Sequence, residues 1–262
     1  MNITNNPGSS RLLDRAQQVQ QTQFEQISSA RRINSAKDDP SGLVISTGLD
    51  TESRSLTAAL KNTGDGISRI QVEDGALSSV GEDLQRIREL SVQQQNGTLS
   101  ESDQQALQSE IDQRVDSITS TIKDSQFNDK AVFQEGTLSI QSGVDAGQNI
   151  DINTVDLASQ FSELGLAPNE GGFDLDAIDS ALNQVSQRRS DLGASQSRLE
   201  SNAEFLELKN VQNQSTNSRI SDTDFAKATA EKTKADIQSS VIISVQAQSN
   251  QNQENVLRLL GN

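Results

Sequence analysis

Apolar residues recur every three to four positions through most of this chain, in stripes one residue wide. From about Ser9 to Ile33, Leu12, Ala16, Val19, Ile27 and Ala30 keep helical spacing, with Leu13 and Phe24 beside the stripe. Gln17, Gln18, Gln20, Gln21, Gln23 and Gln26 fill the other positions as a neutral, hydrated face. Asn34 to Gly42 then interrupts the pattern. Pro40 disfavours helical geometry at Asp39 and has no N–H to give, yet it suits the first turn of a new helix capped by Asp38 or Asp39. One helix therefore ends and another starts at this joint.

Leu43 to Gln95 reads as a long helix or a helix interrupted once. Leu56 and Leu60 begin its stripe, and Asn62-Thr63-Gly64-Asp65-Gly66 should bend or break it, since two glycines cost roughly 1 kcal/mol each in a helix interior. The stripe resumes at Ile67, Ile70, Leu77, Val80, Leu84, Ile87 and Leu90, and Asn96-Gly97-Thr98 stops it. A cap region at Ser100 to Asp103 opens another stripe at Leu107, Ile111, Val115, Ile118 and Ile122. In Phe127 to Gly172 the period changes to two. Leu138, Ile140 and Ser142, then Ile150 and Ile152, alternate around Gly143 to Gly147, which predicts a β-hairpin, with loop over Leu164 to Gly172.

From Asp174 the pattern is strongest. Ile178, Leu182, Val185, Arg189, Leu192, Gln196, Leu199, Ala203, Leu206 and Asn210 alternate spacings of four and three, the seam of a coiled coil with three polar members that would fix its register. The pattern lapses from Asn213 to Asp224. A last helix runs from about Phe225 through Ile237, Val241, Ile242 and Val245 to Val256-Leu257-Arg258-Leu259-Leu260. The layout mirrors itself about the hairpin. End helix, joint and long helices precede it; long helix, joint and end helix follow. The predicted fold is mainly α: an elongated coiled-coil helical rod with its N- and C-terminal halves paired and one small β-hairpin region.

Composition narrows this picture. Of 262 residues 32% are hydrophobic and 3% aromatic, too few for a thick core but enough for thin bundles or a subunit that buries its remaining stripes against copies of itself. A net charge of −15 argues against nucleic acid and anionic membrane surfaces as partners. Without Cys or His there is no thiol nucleophile, no Ser-His-Asp triad and little basis for a zinc or haem site. The first residues lack the apolar run of about 7–15 that a cleaved secretory signal needs. No stretch approaches the roughly 18 apolar residues of a membrane span. The chemical motifs fail one by one. Gly64-Asp65-Gly66 has Arg69 where a dinucleotide loop needs glycine. Ser120-Thr121-Ile122-Lys123 lacks its companion elements. Asp174, Asp176 and Asp179 lack the glycine and glutamate of a calcium loop and read as helix caps, as do Asp222 and Asp224. No enzyme and no cofactor are expected.

Both ends together carry a resemblance. Ser28-Ser29-Ala30-Arg31-Arg32-Ile33-Asn34-Ser35-Ala36-Lys37-Asp38-Asp39 resembles the N-terminal signature of bacterial flagellin. So do Asp65-Gly66-Ile67-Ser68, Glu73-Asp74-Gly75-Ala76-Leu77 and Leu84-Gln85-Arg86-Ile87-Arg88-Glu89-Leu90-Ser91-Val92-Gln93. The C-terminal half matches at Arg189-Ser190-Asp191-Leu192-Gly193-Ala194, at Ser218-Arg219-Ile220-Ser221-Asp222-Thr223-Asp224-Phe225-Ala226 and at Asn255-Val256-Leu257-Arg258-Leu259-Leu260.

The resemblance implies a subunit that polymerises into the extracellular bacterial flagellar filament, exported by the flagellar type III route without a cleaved peptide. A hook–filament junction (hook-associated) protein is the alternative, and an intracellular coiled-coil scaffold a more distant one. It implies residues 1–42 as inner-tube helix and joint, 43–126 as rod helices, 127–173 as hairpin and loop, 174–213 as the returning rod helix and 214–262 as second joint and inner-tube helix. Inner-tube assembly and export-chaperone contact then fall to Leu12, Leu13, Val19, Phe24, Ile27, Ile242, Val245, Val256, Leu257, Leu259 and Leu260. Lys37, Asp38, Asp39 and Pro40 form the joint. Partners would be other copies of the protein, an export chaperone, hook-associated and cap proteins, and a host innate immune receptor meeting Arg86, Leu90 and Glu110. Leu90 also belongs to the core stripe. Where many flagellins carry large outer domains, only Phe127 to Gly172 separates the halves here, which implies a thin filament. Arg31 and Pro40 depart from common relatives. The glutamines of residues 17–26 are expected to line a channel.

Overall fold

The structure is a computed structural model that describes residues 7–164 and 174–260, without the side chains of Pro7, Ser9, Leu257, Leu259 and Leu260. The loop expected over Leu164 to Gly172 lies, beyond its first residue, outside the described residues. Six helices are described: α1 (Pro7–Ser29), α2 (Pro40–Gln94), α3 (Glu101–Asp124), α4 (Leu157–Glu163), α5 (Leu175–Ser221) and α6 (Phe225–Leu260). Four strands, β1 (Gln126–Phe127), β2 (Lys130–Ala131), β3 (Gly136–Gln141) and β4 (Asn149–Thr154), form two antiparallel hairpins. The protein divides into two compact units, Arg54–Val211 and Met1–Ser53 with Gln212–Asn262.

In the unit Arg54–Val211, α2 and α5 run antiparallel, as the pairs Asp74–Arg189 and Arg88–Asp179 require. The antiparallel α3 joins α2 through Arg86–Glu110 and Arg114–Asp83. The expected stripes meet in the core: Leu77, Leu84 and Ile87 from α2, Ile111 and Ile118 from α3, and Ile178, Leu192 and Leu199 from α5. Burial of each of these residues contributes about 1.5–3 kcal/mol. Ser100 starts α3 with a capping box closed by Asp103. The β3–β4 hairpin pairs Leu138 with Ile152 and Ile140 with Ile150, in the phase the alternation predicts. Two elements have weaker sequence signals. Asn128 and Asp129, both at positive φ, turn the short β1–β2 hairpin, and Asp156 caps the one-to-two-turn helix α4.

Three expectations fail here. First, Asn62 to Gly66 does not interrupt α2, which is one helix of 55 residues. Gly66 is present for clearance: a Cβ there would collide with Ile140 Cδ1 of the hairpin. Second, the Ser- and Asn-rich lapse after Asn213 does not end α5, which continues to Ser221. Third, the polar seam position is shifted by one. Arg189 is exposed and pairs with Asp74, while Arg188 is buried and donates through Nε to Glu73 at 2.7 Å. Arg188 also donates to Asn153 O at 2.7 Å, and Arg69 donates to Val132 O at 3.1 Å. With Asn62 on Gln141 O and Asn202 on Ser142 O, four helix residues seat the hairpin region by its backbone carbonyls.

The second unit pairs α1 with α6, antiparallel, with Gln20 donating to Asp236 and Ala30 meeting Thr223. Small residues dominate its buried positions: Ala16, Ala228 and Ala235, with Ile33 at the joint. Among the described residues no helix is long and apolar enough to cross a membrane.

Candidate assembly surface

The unit of α1, α6 and the joint places most of the residues expected to act in assembly. The joint is built from backbone bonds and caps. Ala30 ends α1 at φ 57, a conformation that costs a non-glycine residue roughly 1–3 kcal/mol and must be offset by its surroundings. The offset is a bridge to the other end of the sequence. Arg32 N–H donates to Ser221 O at 2.7 Å, Thr223 N–H donates to Ala30 O at 3.0 Å, and the Arg32 guanidinium reaches Ile220 O. Arg31 and Asp222 are the residues so paired.

Asp38 and Asp39 divide the capping work. Asp39 is the cap of α2: its Oδ1 accepts from Gly42 N–H at 2.9 Å, its carbonyl accepts from Leu43 N–H, and Pro40 opens the helix. Gly42 is required by this closeness, since a Cβ would stand 2.5 Å from Asp39 Oδ2 and 2.6 Å from Ile33 Cδ1. Asp38 instead ties the preceding turn, accepting from Asn34 N–H, Ser35 N–H and the Ser35 hydroxyl. The Ser35 hydroxyl, then the two amides and Lys37, hold the Asp38 carboxyl below its ordinary range. Lys37 itself is exposed. At the second joint Asp224 caps α6, its Oδ1 accepting from Lys227 N–H at 3.1 Å. Asp222, expected as a cap, accepts from the Ser218 and Ser221 hydroxyls. Asp179, likewise expected as a cap, pairs with Arg88.

The stripe residues separate into two groups. Leu13, Val19, Ile27 and Ile242 are half-buried. Leu12 is 58% exposed, Phe24 62%, Val245 61% and Val256 53%. Ile237 and Val241 of the expected stripe are exposed as well, and so is Ile243 beside it. The side chains of Leu257, Leu259 and Leu260 lie outside the described residues. A groove of about 620 Å³ follows the pair, lined by Leu12, Val19, Lys234, Ile237, Val241 and Ile242 among others. The fully buried positions of the pair are small, Ala16, Ala228 and Ala235, which let the two helices approach closely and leave much of the larger side chains' surface uncovered. The glutamines do not form one face. Gln17, Gln18 and Gln21 are exposed, whereas Gln20 bonds Asp236 and Gln26 bonds Arg32 O.

In the other unit, Arg86 and Glu110 are at the surface and joined at 2.8 Å, with Glu89 on the same guanidinium at 3.1 Å. Those two carboxylates hold the Arg86 guanidinium above its ordinary value, Glu110 foremost. Leu90 does not share that surface: it is 1% exposed and packed in the core.

A helix pair with several large apolar residues exposed, clasped at the joint and without a metal-binding cluster among the described residues, has the features of a structural subunit. Residues 3–137 match the family described as the bacterial flagellin N-terminal helical region, and residues 175–260 match the bacterial flagellin C-terminal helical region. Flagellin of Halalkalibacterium halodurans is 38% identical over 248 residues, 92% of this sequence and 91% of that one. Flagellin of Bacillus subtilis is 36% identical over 283 residues, covering 92% of each. The crystal structure of Bacillus cereus flagellin shares the fold, with a TM-score of 0.51 at 23% identity over 56% of this protein and 88% of that one. The chain belongs to the bacterial flagellin family. It is a structural subunit that self-polymerises into the flagellar filament, the organelle of motility.

Proposed function

We propose that the outward apolar residues of α1 and α6, chiefly Leu12, Phe24, Val241, Val245 and Val256, are the contacts that neighbouring copies bury when the filament forms. The observation that carries this reading is the exposure of large apolar residues along the α1/α6 pair: Phe24 on α1, and Leu12 with Val241 in the open groove beside the buried Ala16 and Ala235. Each subunit offers one surface to the next copy and a different one to the last, so growth continues as an open helix. The same C-terminal residues, with Leu257, Leu259 and Leu260, suit an export chaperone, which must cover them before a neighbour does. Hook-associated and cap proteins, sharing the task of covering subunit ends, are further partners. Gln17, Gln18 and Gln21 supply a neutral hydrated surface for a channel wall through which the unfolded subunit is exported. A host innate immune receptor that engages the protein meets Arg86, Glu89 and Glu110, with Leu90 supporting α2 from beneath.

The test replaces Leu12, Phe24 and Val245 together by Ser. Sedimentation should show loss of polymer, while circular dichroism retains the cooperative melting of the Arg54–Val211 unit. Filaments of normal length from this variant would overturn the assignment.

A further inference from the structure

Asn96-Gly97, Asp65-Gly66 and Asp74-Gly75 are pairs whose backbone can close into a cyclic imide. In each, the glycine nitrogen would attack Cγ of the residue before it, and glycine offers no Cβ to hinder the approach. The attack also needs a nitrogen that is not held in a hydrogen bond. Gly66 and Gly75 fail that requirement, because both lie inside α2, where backbone N–H groups are bonded along the helix. The exposed pair Asn34-Ser35 fails as well, with Ser35 N–H donating to Asp38 Oδ2 at 2.9 Å.

Asn96-Gly97 meets it. The pair lies exposed in the turn between α2 and α3, the Gly97 N–H donates no hydrogen bond among the described residues, and a Cβ on Gly97 would find nothing within 4 Å. The Asn96 amide oxygen already accepts two hydrogen bonds, from Thr98 N–H at 3.2 Å and from the Thr98 hydroxyl at 3.0 Å. That oxygen takes the negative charge when the nitrogen adds to Cγ, so two donors stand where charge develops.

We propose that Asn96-Gly97 is a self-modifying site, at which the flagellin subunit exchanges an amide for a carboxylate without an enzyme. Water or hydroxide takes the Gly97 amide proton, and the nitrogen bonds to Asn96 Cγ. The bond from Cγ to Nδ2 then breaks, and the Nδ2 amino group leaves as ammonia with a proton returned from solvent. The resulting succinimide takes up one water. Opening at Cγ gives aspartate; opening at the backbone carbonyl gives isoaspartate, with one more carbon in the backbone path. The balance is one water consumed and one ammonia released. Each event adds a negative charge to a subunit already at −15, within the loop that leads to Glu101 and Asp103.

The test incubates the purified full-length protein at mildly alkaline pH and follows each asparagine by peptide mass spectrometry, with chromatographic separation of the isoaspartyl form. Asn96 should convert ahead of Asn34 and Asn128, giving both products. Gly97→Ala should abolish the reaction, and circular dichroism checks that its fold is retained. Thr98→Val, which removes one donor, should slow it about two- to tenfold, the worth of one hydrogen bond. Conversion of Asn34 or Asn128 at the rate of Asn96, an unchanged rate in Thr98→Val, or a sugar mass on Asn96 in protein taken from cells would each overturn the proposal.

Discussion

The two units of this subunit use apolar residues in opposite ways. In Arg54–Val211 most of the large side chains point inward: Leu56, Leu77, Leu84, Ile87, Leu192 and Leu199 are at most 1% exposed, and the main exceptions, Phe205, Leu208 and Val211, cluster at the end of the unit. In the unit of α1, α6 and the joint, the buried positions along the helix pair hold Ala16, Ala228 and Ala235. Among the described residues of that unit Ile33 is the one large buried residue, at the joint, and Leu12, Phe24, Val245 and Val256 are exposed. A buried leucine contributes about 1.5–3 kcal/mol and a buried alanine a small part of that. The first unit therefore carries the larger share of its own stability, while the second leaves more of its large apolar residues uncovered. On the function proposed above, those uncovered residues are the ones that neighbouring copies bury.

The difference can be broken most severely at the ion pair inside the first unit. Glu73 is fully buried between Arg188 and Arg69. Replacing Arg188 by Leu leaves a carboxylate without its main partner and should cost about 3–5 kcal/mol in chemical denaturation. Burial raises the Glu73 pKa even with both arginines present. A raised carboxyl pKa contributes stability that is full below its ordinary value of 4.5 and is lost as pH rises through the folded value. With Arg188 gone, its lowering influence is gone too, so the variant should regain stability as the solution is acidified from neutrality. A deficit that stays the same as the solution is acidified from neutrality would show that the carboxylate is not the cause.

A smaller effect separates the two glycines in the stretch where spacing and composition suggest a break in α2. Gly66→Val should cost about 1–3 kcal/mol by overpacking against Ile140. Gly64→Ala, with nothing within 4 Å of the new carbon, should gain up to about 1 kcal/mol in helix propensity. Thermal melts of the two variants should move in opposite directions.

The smallest change is at the joint. Asp39→Ala removes the cap of α2 at a cost of about 1 kcal/mol, confined to the second unit and visible as faster hydrogen exchange at Gly42 and Leu43. Asp38 titrates in the opposite sense to Glu73. Its lowered pKa makes its contribution present above 3.8 and lost as pH falls through the folded value, so the amides of Asn34 and Ser35 should exchange faster in strong acid while the Glu73 site does not weaken.

Most of the first unit is readable from spacing. Ile178, Val185, Leu192, Leu199 and Leu206 are buried as the heptad requires, and the hairpin pairs in the expected phase. The ion pair is harder to see, though it leaves a trace. The α2 stripe passes from Ile70 to Leu77, and Glu73 occupies the vacant position between them. Between Val185 and Leu192 both 188 and 189 are permitted by steps of three and four, and spacing alone cannot choose. Partner geometry chooses Arg188. The second unit is legible as elements but not as a surface. Periodicity marks a stripe without saying how much of it a sister helix covers, so Leu12, which is 58% exposed, is indistinguishable in pattern from the buried Ala16. Gly64 and Gly66 look alike in sequence, and only the hairpin brought against Gly66 tells them apart.

The bonds that join residues 30–32 to 221–223 turn everything between them into a closed ring held by a short clasp. A polypeptide made from its N-terminus is unable to close that clasp until Thr223 has been added, so closure registers that the ring is complete. The clasp is also indifferent to circumference. It asks only that two short stretches meet, and residues inserted in a loop within the ring, away from the packed helices, leave its bonds unchanged. A subunit built this way can vary the middle of its sequence freely while the fastening at its ends stays the same.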